Sequence, residues 1–344
     1  MADIDIFNIE PNVVTRDLSG KSFFIYGDNK TGKTTIASKF PKNLLLGFEK
    51  GYGMIPGIRA IPINKWSEAI KVQKQLLQDA RDVLAGKKPE TTFKTIIIDT
   101  AEQAQILVEK YVCESNDVEA IKDIPYGQGW GMPSKVIDEF CQTLTKAGYA
   151  LITISHAKQQ QYDNPDGTSY QRIQPSLDPR TLKVFEDMVD IMAFAAVETA
   201  DDGTEQSYLI TRGNKTLCAG SRYAYLDAKI PFNYEALSDA MARAVDKIAE
   251  NDGEQAVTSE AINLRAMENP QRSLAELQQA IKVYFDAFKS NGKGDDYKKI
   301  VTKQLGKDTT VSSCTEERKD LLEIILTELE TLANETGIVV MSAA

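Results

Sequence analysis

Residues 27–34 read Gly-Asp-Asn-Lys-Thr-Gly-Lys-Thr, and their types and spacing suit phosphate binding. They match the pattern G-x-x-x-x-G-K-[ST] at every fixed position. The glycines let the backbone curl so that consecutive N–H groups face a phosphate. Lys33 would bring a positive charge to the β- and γ-phosphates, and the Thr34 hydroxyl would hold Mg²⁺. The expected nucleotide-binding residues are Gly27, Asp28, Asn29, Lys30, Thr31, Gly32, Lys33, Thr34 and Thr35.

A second group for the same site follows the β-branched run Thr95–Ile98. Asp99 ends this run, where a buried central strand would reach the ligand-binding edge of an open α/β sheet. A carboxylate is a preferred oxygen ligand of Mg²⁺. The sequence therefore predicts that Thr34 and Asp99 hold Mg²⁺ beside ATP, although Asp99 could instead be a polar cap for the next helix.

Hydrolysis needs a group that orients the attacking water, and two glutamates are candidates. Glu49 follows the apolar run Asn43–Phe48, so its carboxylate would lie at a strand end beside two permissive glycines. We therefore expect Glu49 to activate the water; the simpler alternative is an exposed pair with Lys50. Glu102 lies one helical step beyond Asp99 and is expected on the surface of the next helix.

His156 is the only histidine in the chain and directly follows the apolar run Tyr149–Ser155. A neutral imidazole at this strand end would sense the γ-phosphate through a hydrogen bond, or would simply cap the strand. The general-base role is the weaker interpretation, because phosphoryl transfer asks mainly for positioning and charge.

The elements that position these groups follow from alternating apolar runs and helical spacings. Strands are predicted at Lys21–Tyr26, Asn43–Phe48, Ile58–Ile63, Thr95–Ile98, Tyr149–Ser155, Val189–Val197 and Ser207–Thr211. Helices at 34–40 and 65–85, after Asp99, and between Pro133 and Gly148 separate the strands. Residues 1–250 are therefore expected to form an α/β core with a mostly parallel sheet and helices on both faces. Residues 251–344 are expected to form a small helical region, with helices at 274–290 and 319–333.

Composition narrows the class of protein further. The chain has 344 residues and a net charge of −10, and no apolar run reaches the ~18 residues of a membrane span. No signal peptide is evident, so we expect a cytoplasmic protein without membrane contact. Four scattered cysteines and one histidine argue against a zinc site or a Cys–His hydrolase. Residues 251–344 hold 16 acidic and 11 basic residues, which would suit a basic protein partner.

Together, the segments GDNKTGKTT, LLLGFEKG, TIIIDT and ITISHAK resemble the RecA-type ATPase core. They are most similar to phage-encoded RecA-like ATP-binding proteins, some of them associated with single-strand annealing and recombination. The resemblance covers about residues 20–235. It implies a RecA-like P-loop NTPase core that hydrolyses ATP with Mg²⁺, with Glu49 activating water and His156 in the sensor position. It also implies a homo-oligomer, a ring or filament, in which Arg212 or Lys215 acts across the subunit interface. The alternative is that these two residues are ordinary surface cations.

RecA-type cores also use two loops that face single-stranded DNA. By position these are Ile124–Pro133 and Lys158–Arg180, which combine aromatic and basic residues as sequence-tolerant stacking requires. The turn signal Asn164-Pro165-Asp166-Gly167 is also consistent with a hairpin that reaches a neighbouring subunit. The expected DNA contacts are Tyr126, Trp130, Lys158, Tyr170, Arg172 and Arg180.

The leading hypothesis is an ATP-hydrolysing protein that acts on single-stranded DNA in phage recombination, repair or replication. One alternative is a P-loop kinase of a small molecule, with Arg172 and Arg180 as lid residues. The other is a nucleotide-gated assembly module with little hydrolysis. A GTPase is excluded because Thr-Ala-Glu follows Asp99 where a glycine would be needed, and no N-K-x-D motif occurs.

Overall fold

A computed structural model describes residues 14–199, 202–252, 273–306, 309–315, 318–336 and 338. The chain divides into two compact units, Met1–Pro270 and Gln271–Ala344. The predicted division at 250/251 falls within a helix that ends at Asp252. Among the described residues, no helix is long and apolar enough to cross a membrane.

Strands and helices alternate through the first unit, as the sequence predicts. Its strands are β1 (Phe23–Gly27), β2 (Asn43–Gly47), β3 (Ala60–Pro62), β4 (Thr95–Asp99), β5 (Ala150–Asp163), β6 (Ser169–Pro175), β7 (Ile191–Thr199), β8 (Glu205–Ile210), β9 (Gly220–Ser221) and β10 (Lys229–Pro231). Its α-helices are α1 (Lys33–Ala37), α2 (Trp66–Leu84), α3 (Ala101–Ser115), α4 (Met132–Lys146), α5 (Pro179–Met188) and α6 (Tyr234–Asp252).

The strands form one sheet with the order β10-β8-β7-β1-β5-β4-β2-β3, in which β6 pairs with β5 and β9 with β7. The central pairs are parallel, and β8 and β10 add antiparallel strands at one edge. Strand β5 lies between β1 and β4, so it separates the strand before the glycine-rich loop from the strand that ends in Asp99. The carboxyl ends of β1, β4 and β2 consequently meet at one edge, where His156 of β5 lies opposite Gly27.

Helices cover both faces of this sheet, because successive strand residues point to opposite sides. In β1, Phe24 and Tyr26 pack with the buried residues of α2–α5, whereas Phe23 and Ile25 pack with α1 and α6. All four side chains are fully buried or nearly so. The predicted α/β class, a mostly parallel sheet with helices on both faces, is confirmed.

Beyond the central sheet, β5 continues into an antiparallel hairpin with β6, in register from Ala157 opposite Pro175 to Asp163 opposite Ser169. Asn164 accepts the turn-closing hydrogen bond from the Gly167 N–H at 3.0 Å, and Gly167 has a φ of +82°. The expectation of a long loop over Lys158–Arg180 is therefore wrong for most of its length. The turn signal at Asn164–Gly167, by contrast, is confirmed.

The second unit contains α7 (Leu274–Ser290), α8 (Gly294–Leu305) and α9 (Lys319–Thr336). The predicted helices at 274–290 and 319–333 are present, whereas the sequence did not predict α8. The side chains of Ser273 and Glu276 cap α7 reciprocally. The three helices share a core of their own that includes Leu277, Ile281, Phe288, Leu322, Ile325 and Leu329.

Candidate functional site

The glycine-rich loop begins where β1 ends. A Cβ atom at Gly27 would lie 2.8 Å from the backbone oxygen and 2.9 Å from the Cβ of Ala195 on β7, so a larger residue would push these strands apart. Gly32 has a φ of +87°, which side chains rarely adopt, and it directly precedes α1. Glycine at these two positions is therefore a requirement of the backbone path.

Lys33 is buried, and its ammonium group is folded back onto the loop itself. Nζ donates hydrogen bonds to the backbone oxygens of Gly27 at 3.0 Å and Asp28 at 2.6 Å. Burial lowers the pKa of Lys33, an effect opposed by nearby carboxylates, foremost Glu102 and Asp99. These backbone oxygens accept from the ammonium group, and phosphate oxygens can replace them as acceptors.

Thr34 and Asp99 come together as the sequence predicts, although 65 residues separate them. The Thr34 hydroxyl donates to Asp99 Oδ2 at 2.9 Å. Asp99 is 2% exposed, and burial raises its pKa to about 6 against the opposing hydrogen bond from Thr34. A buried carboxylate beside a hydroxyl, with a lysine close by, is a donor set that fits a hydrated Mg²⁺ on a phosphate. These two residues would hold that ion.

The raised pKa of Asp99 predicts a stability effect in the nucleotide-free protein. The folded state binds the Asp99 proton more tightly than the unfolded chain, so stability is lost as pH rises from about 4 to about 6. A shift of this size corresponds to about 3 kcal/mol. Asp99→Asn is therefore expected to raise the free energy of unfolding by up to that amount at pH 7. Denaturant titrations at pH 4, 5, 6, 7 and 8 measure the gain, which should shrink below pH 6.

Asp239→Asn is the matched control, because Asp239 is exposed on α6. A stability gain for Asp99→Asn that stayed constant from pH 4 to pH 8 would contradict an origin in the ionised carboxylate.

Glu49 lies beside Asp99 and Thr100. Its backbone N–H donates to the Asp99 backbone oxygen at 3.3 Å, and its Oε2 accepts from the Thr100 hydroxyl at 3.5 Å. The parallel pairing of Gly47 with Asp99 creates this proximity, because the chain leaves β2 at the level where β4 ends. Glu49 thus lies at the strand edge that its position in the sequence predicts.

His156 also lies at this edge, since it pairs in register with Gly27. Glu102 lies beside it: Glu102 Oε1 accepts from the His156 backbone N–H at 3.1 Å and contacts the ring atom Nδ1. The Glu102 side chain is only 14% exposed, so the expectation that it lies on the helix surface is wrong. The β4–β5 register, Asp99 opposite Ile154, explains the difference, because β5 runs on past the first turn of α3.

The two predicted trans-acting cations contact their own chain. The Arg212 guanidinium donates to the backbone oxygens of Ala224 and, at 3.4 Å, of Leu226. Lys215 lies over the Tyr170 ring, with Nζ 4.6 Å from its centroid. Their assignment as cations that act on a neighbouring subunit stays a prediction.

The six predicted DNA contacts fall into two groups. Tyr126 is 96% exposed, Trp130 is half-exposed, and Arg180 is exposed, with its guanidinium 3.9 Å from Asp178. On the hairpin, by contrast, the side chains are engaged within the chain. Lys158 donates to the Leu177 oxygen at 2.6 Å, Arg172 lies 4.0 Å from Glu186, and Tyr170 stacks on Tyr162 at 5.7 Å. The structure therefore brings together the phosphate and metal residues but forms no continuous basic stripe from the DNA candidates.

Two solved structures share a low overall similarity with this chain. One is the crystal structure of the flagellar accessory protein FlaH from Methanocaldococcus jannaschii, with 11% identity, a TM-score of 0.32, and coverage of 62% of this chain and 85% of that one. The other is a KaiC-like protein from Pyrococcus horikoshii OT3, with 12% identity, a TM-score of 0.30, and coverage of 62% and 86%.

Sequence relatives give a closer match. The SPbeta prophage-derived uncharacterized protein YorG of Bacillus subtilis (strain 168) is 31% identical over 346 residues, covering 96% of this chain and 99% of the relative. The AAA domain family matches residues 19–223, which include the glycine-rich loop, Asp99 and His156. With Lys33, Thr34 and Asp99 arranged around one phosphate-binding loop, the chain belongs to the AAA domain family of P-loop ATPases.

Proposed function

We propose that this protein is a Mg²⁺-dependent ATPase whose turnover responds to single-stranded DNA. The observation that carries the ATPase part is the hydrogen bond of 2.9 Å between Thr34 and Asp99, directly beside the buried Lys33. A hydroxyl, a carboxylate and an ammonium group at one glycine-rich loop are the parts that phosphoryl transfer requires.

The proposal gives a part in catalysis to four residues of the site. Lys33 exchanges its bonds to the loop oxygens for bonds to phosphate oxygens, and Thr34 and Asp99 hold the metal ion. When bound, Mg²⁺ neutralises the charge that develops on the phosphate oxygens. Glu49, at the neighbouring strand end, orients the attacking water.

The DNA part of the proposal draws support from the hairpin and the exposed aromatic residues. Strand β5 continues from His156 directly into the hairpin, so the phosphate edge and the hairpin belong to one strand. Tyr126 is almost fully exposed and Trp130 is half-exposed. Aromatic surfaces of this kind stack on bases of any sequence. The predicted kinase lid has less support, because Arg172 and Arg180 lie beside carboxylates of their own chain.

The biological setting and the partners belong to the same proposal. The prophage-derived relative supports an origin in a phage, with action in recombination, repair or replication in the host cytoplasm. We further propose a homo-oligomer, a ring or filament, in which Arg212 or Lys215 serves the neighbouring subunit. The acidic residues 251–344 would serve as a contact for a protein partner.

One comparison tests the function directly: ATP turnover by the full-length protein with and without single-stranded DNA, at fixed Mg²⁺ and low salt. We expect single strands to raise turnover by about fivefold or more. Tyr126→Ala should raise the DNA concentration needed for half of this stimulation, because one stacking surface is lost.

Duplex DNA serves as the control and should stimulate less. Turnover indifferent to DNA but dependent on a small phosphate acceptor would establish the kinase alternative instead. Tight ATP binding with negligible turnover under all conditions would favour the assembly module.

A further inference from the structure

Glu102 is an acidic side chain near the phosphate loop to which the proposed mechanism gives no role. It lies in the first turn of α3, three residues after Asp99, and it is mostly buried. Among the carboxylates that raise the pKa of Lys33, Glu102 has the largest effect, and Asp99, Asp28 and Glu49 follow in that order. Glu102 thus acts on the same ammonium group that would meet the terminal phosphates.

The two carboxylate oxygens of Glu102 have different surroundings. Oε1 accepts from the His156 backbone N–H at 3.1 Å and also contacts His156 Nδ1. Oε2 is buried and has no hydrogen-bond partner among the described residues. A buried polar atom left without a partner is costly, so such atoms usually have one in the functional state. Oε2 can therefore accept a hydrogen bond from a further donor at this site.

The contact with Nδ1 determines what the rest of the imidazole ring can do. When Nδ1–H donates to a carboxylate, the tautomer and the ring plane are both set, and Nε2 is the atom left for another partner. His156 lies directly opposite Gly27, the first residue of the phosphate loop. A ring fixed in this way at this strand end can meet a terminal phosphate through a water molecule without first reorganising.

We propose that Glu102 is a positioning residue that fixes the His156 ring through Nδ1–H, so that Nε2 accepts a hydrogen bond from a water molecule that also donates to the γ-phosphate of ATP. This inference rests on the proposed ATPase function and deepens it. It gives Glu102 a role distinct from Glu49, which contacts Thr100 rather than the histidine. Glu102 acts through His156, so its amide analogue, which still offers a carbonyl oxygen to Nδ1–H, should largely preserve the effect.

The single histidine of the chain makes the ring directly observable. We would label the full-length protein with ¹⁵N-histidine, purify it without a histidine tag, and record its ring nitrogens by NMR. In the wild type we expect one protonated Nδ1 signal and a change at Nε2 when a non-hydrolysable ATP analogue and Mg²⁺ are added, but not with ADP. In Glu102→Ala the Nδ1 signal should shift toward mixed tautomers and the analogue-specific change at Nε2 should disappear.

Kinetics provide the second measurement. Glu102→Ala should lower kcat by about 10- to 100-fold, as expected when a contacting group is misplaced, with KM changed by less than about threefold. Glu102→Gln should stay within about threefold of the wild type. The double variant Glu102→Ala/His156→Ala should be no worse than His156→Ala alone, because both act through one ring. Glu114→Ala, at an exposed position in the last turn of the same helix, is the matched control.

Each failure has a separate meaning. A wild type that neither binds nor hydrolyses ATP overturns the proposed function itself. An active wild type whose histidine signals and turnover are unchanged in Glu102→Ala overturns the role of Glu102 alone. Equal, complete loss of turnover in Glu102→Gln and Glu102→Ala, with the histidine signals intact in Glu102→Gln, would instead make Glu102 the base and overturn positioning. If Glu102→Ala does not fold, Glu102→Gln still tests the proposal through the same NMR signals, and His156→Ala tests it through turnover.

Discussion

Replacing Lys33 with alanine is expected to abolish nucleotide binding, with a loss of affinity for ATP of more than about 100-fold. The ammonium group is the one lysine charge that the described contacts place inside the loop, held by the backbone oxygens of Gly27 and Asp28. A charge-assisted hydrogen bond in a buried site is worth several times one in solvent. Alanine retains the backbone N–H groups of the loop but removes this charge. Titration calorimetry with ATP and Mg²⁺ measures the loss.

Lys39→Ala is the control, because Lys39 is exposed just beyond α1 and only six residues away. Its affinity for ATP should stay within about twofold of the wild type, since an exposed charge is screened by salt. Melting temperatures of the nucleotide-free variants separate a loss of binding from a loss of folding. ATP binding by Lys33→Ala at wild-type strength would mean that the glycine-rich loop does not bind the phosphates, and the proposed function would fall.

The meeting of the glycine-rich loop with Asp99 could be predicted from sequence because local patterns specify both segments. The spacing from Gly27 to Thr34 determines the loop, and the β-branched run before Asp99 identifies a central strand end. Once both strands are parallel and central, their carboxyl ends must meet at one edge, which accounts for the contact between Thr34 and Asp99. Patterns within two short segments thus predicted the contact between Thr34 and Asp99, because parallel strands of one sheet end at the same edge.

The burial of Glu102 and the strands of the hairpin could not be predicted from local sequence patterns. The burial of Glu102 depends on strand β5 passing beside α3, a pairing between distant segments that no spacing near Glu102 encodes. The hairpin strands carry polar residues on both faces, including Gln159–Gln161, so the alternation that identifies a half-buried strand is missing. The orientation of Arg172 toward Glu186 is likewise a tertiary contact. The sequence indicated the turn between the strands because asparagine and glycine specify turns locally.

Replacing Glu49 with glutamine is expected to leave ATP binding within about threefold of the wild type and to lower kcat by about 100- to 10,000-fold. Glutamine has nearly the same shape and can still accept a hydrogen bond from Thr100, so the backbone contact with Asp99 should persist. It cannot act as the anionic acceptor that orients and activates a water molecule. Steady-state turnover, paired with ATP affinity from calorimetry, separates the chemical step from binding.

The comparison between the Glu49→Gln and Glu102→Gln variants assigns the two carboxylates, since both changes remove one charge at the same edge of the sheet. If Glu49 is the base and Glu102 a positioning residue, only the first variant loses turnover, because the amide at 102 still holds the His156 ring. Glu114→Gln, on the exposed end of α3, corrects for any general effect of losing a negative charge. Undiminished turnover in Glu49→Gln would remove that residue from the mechanism.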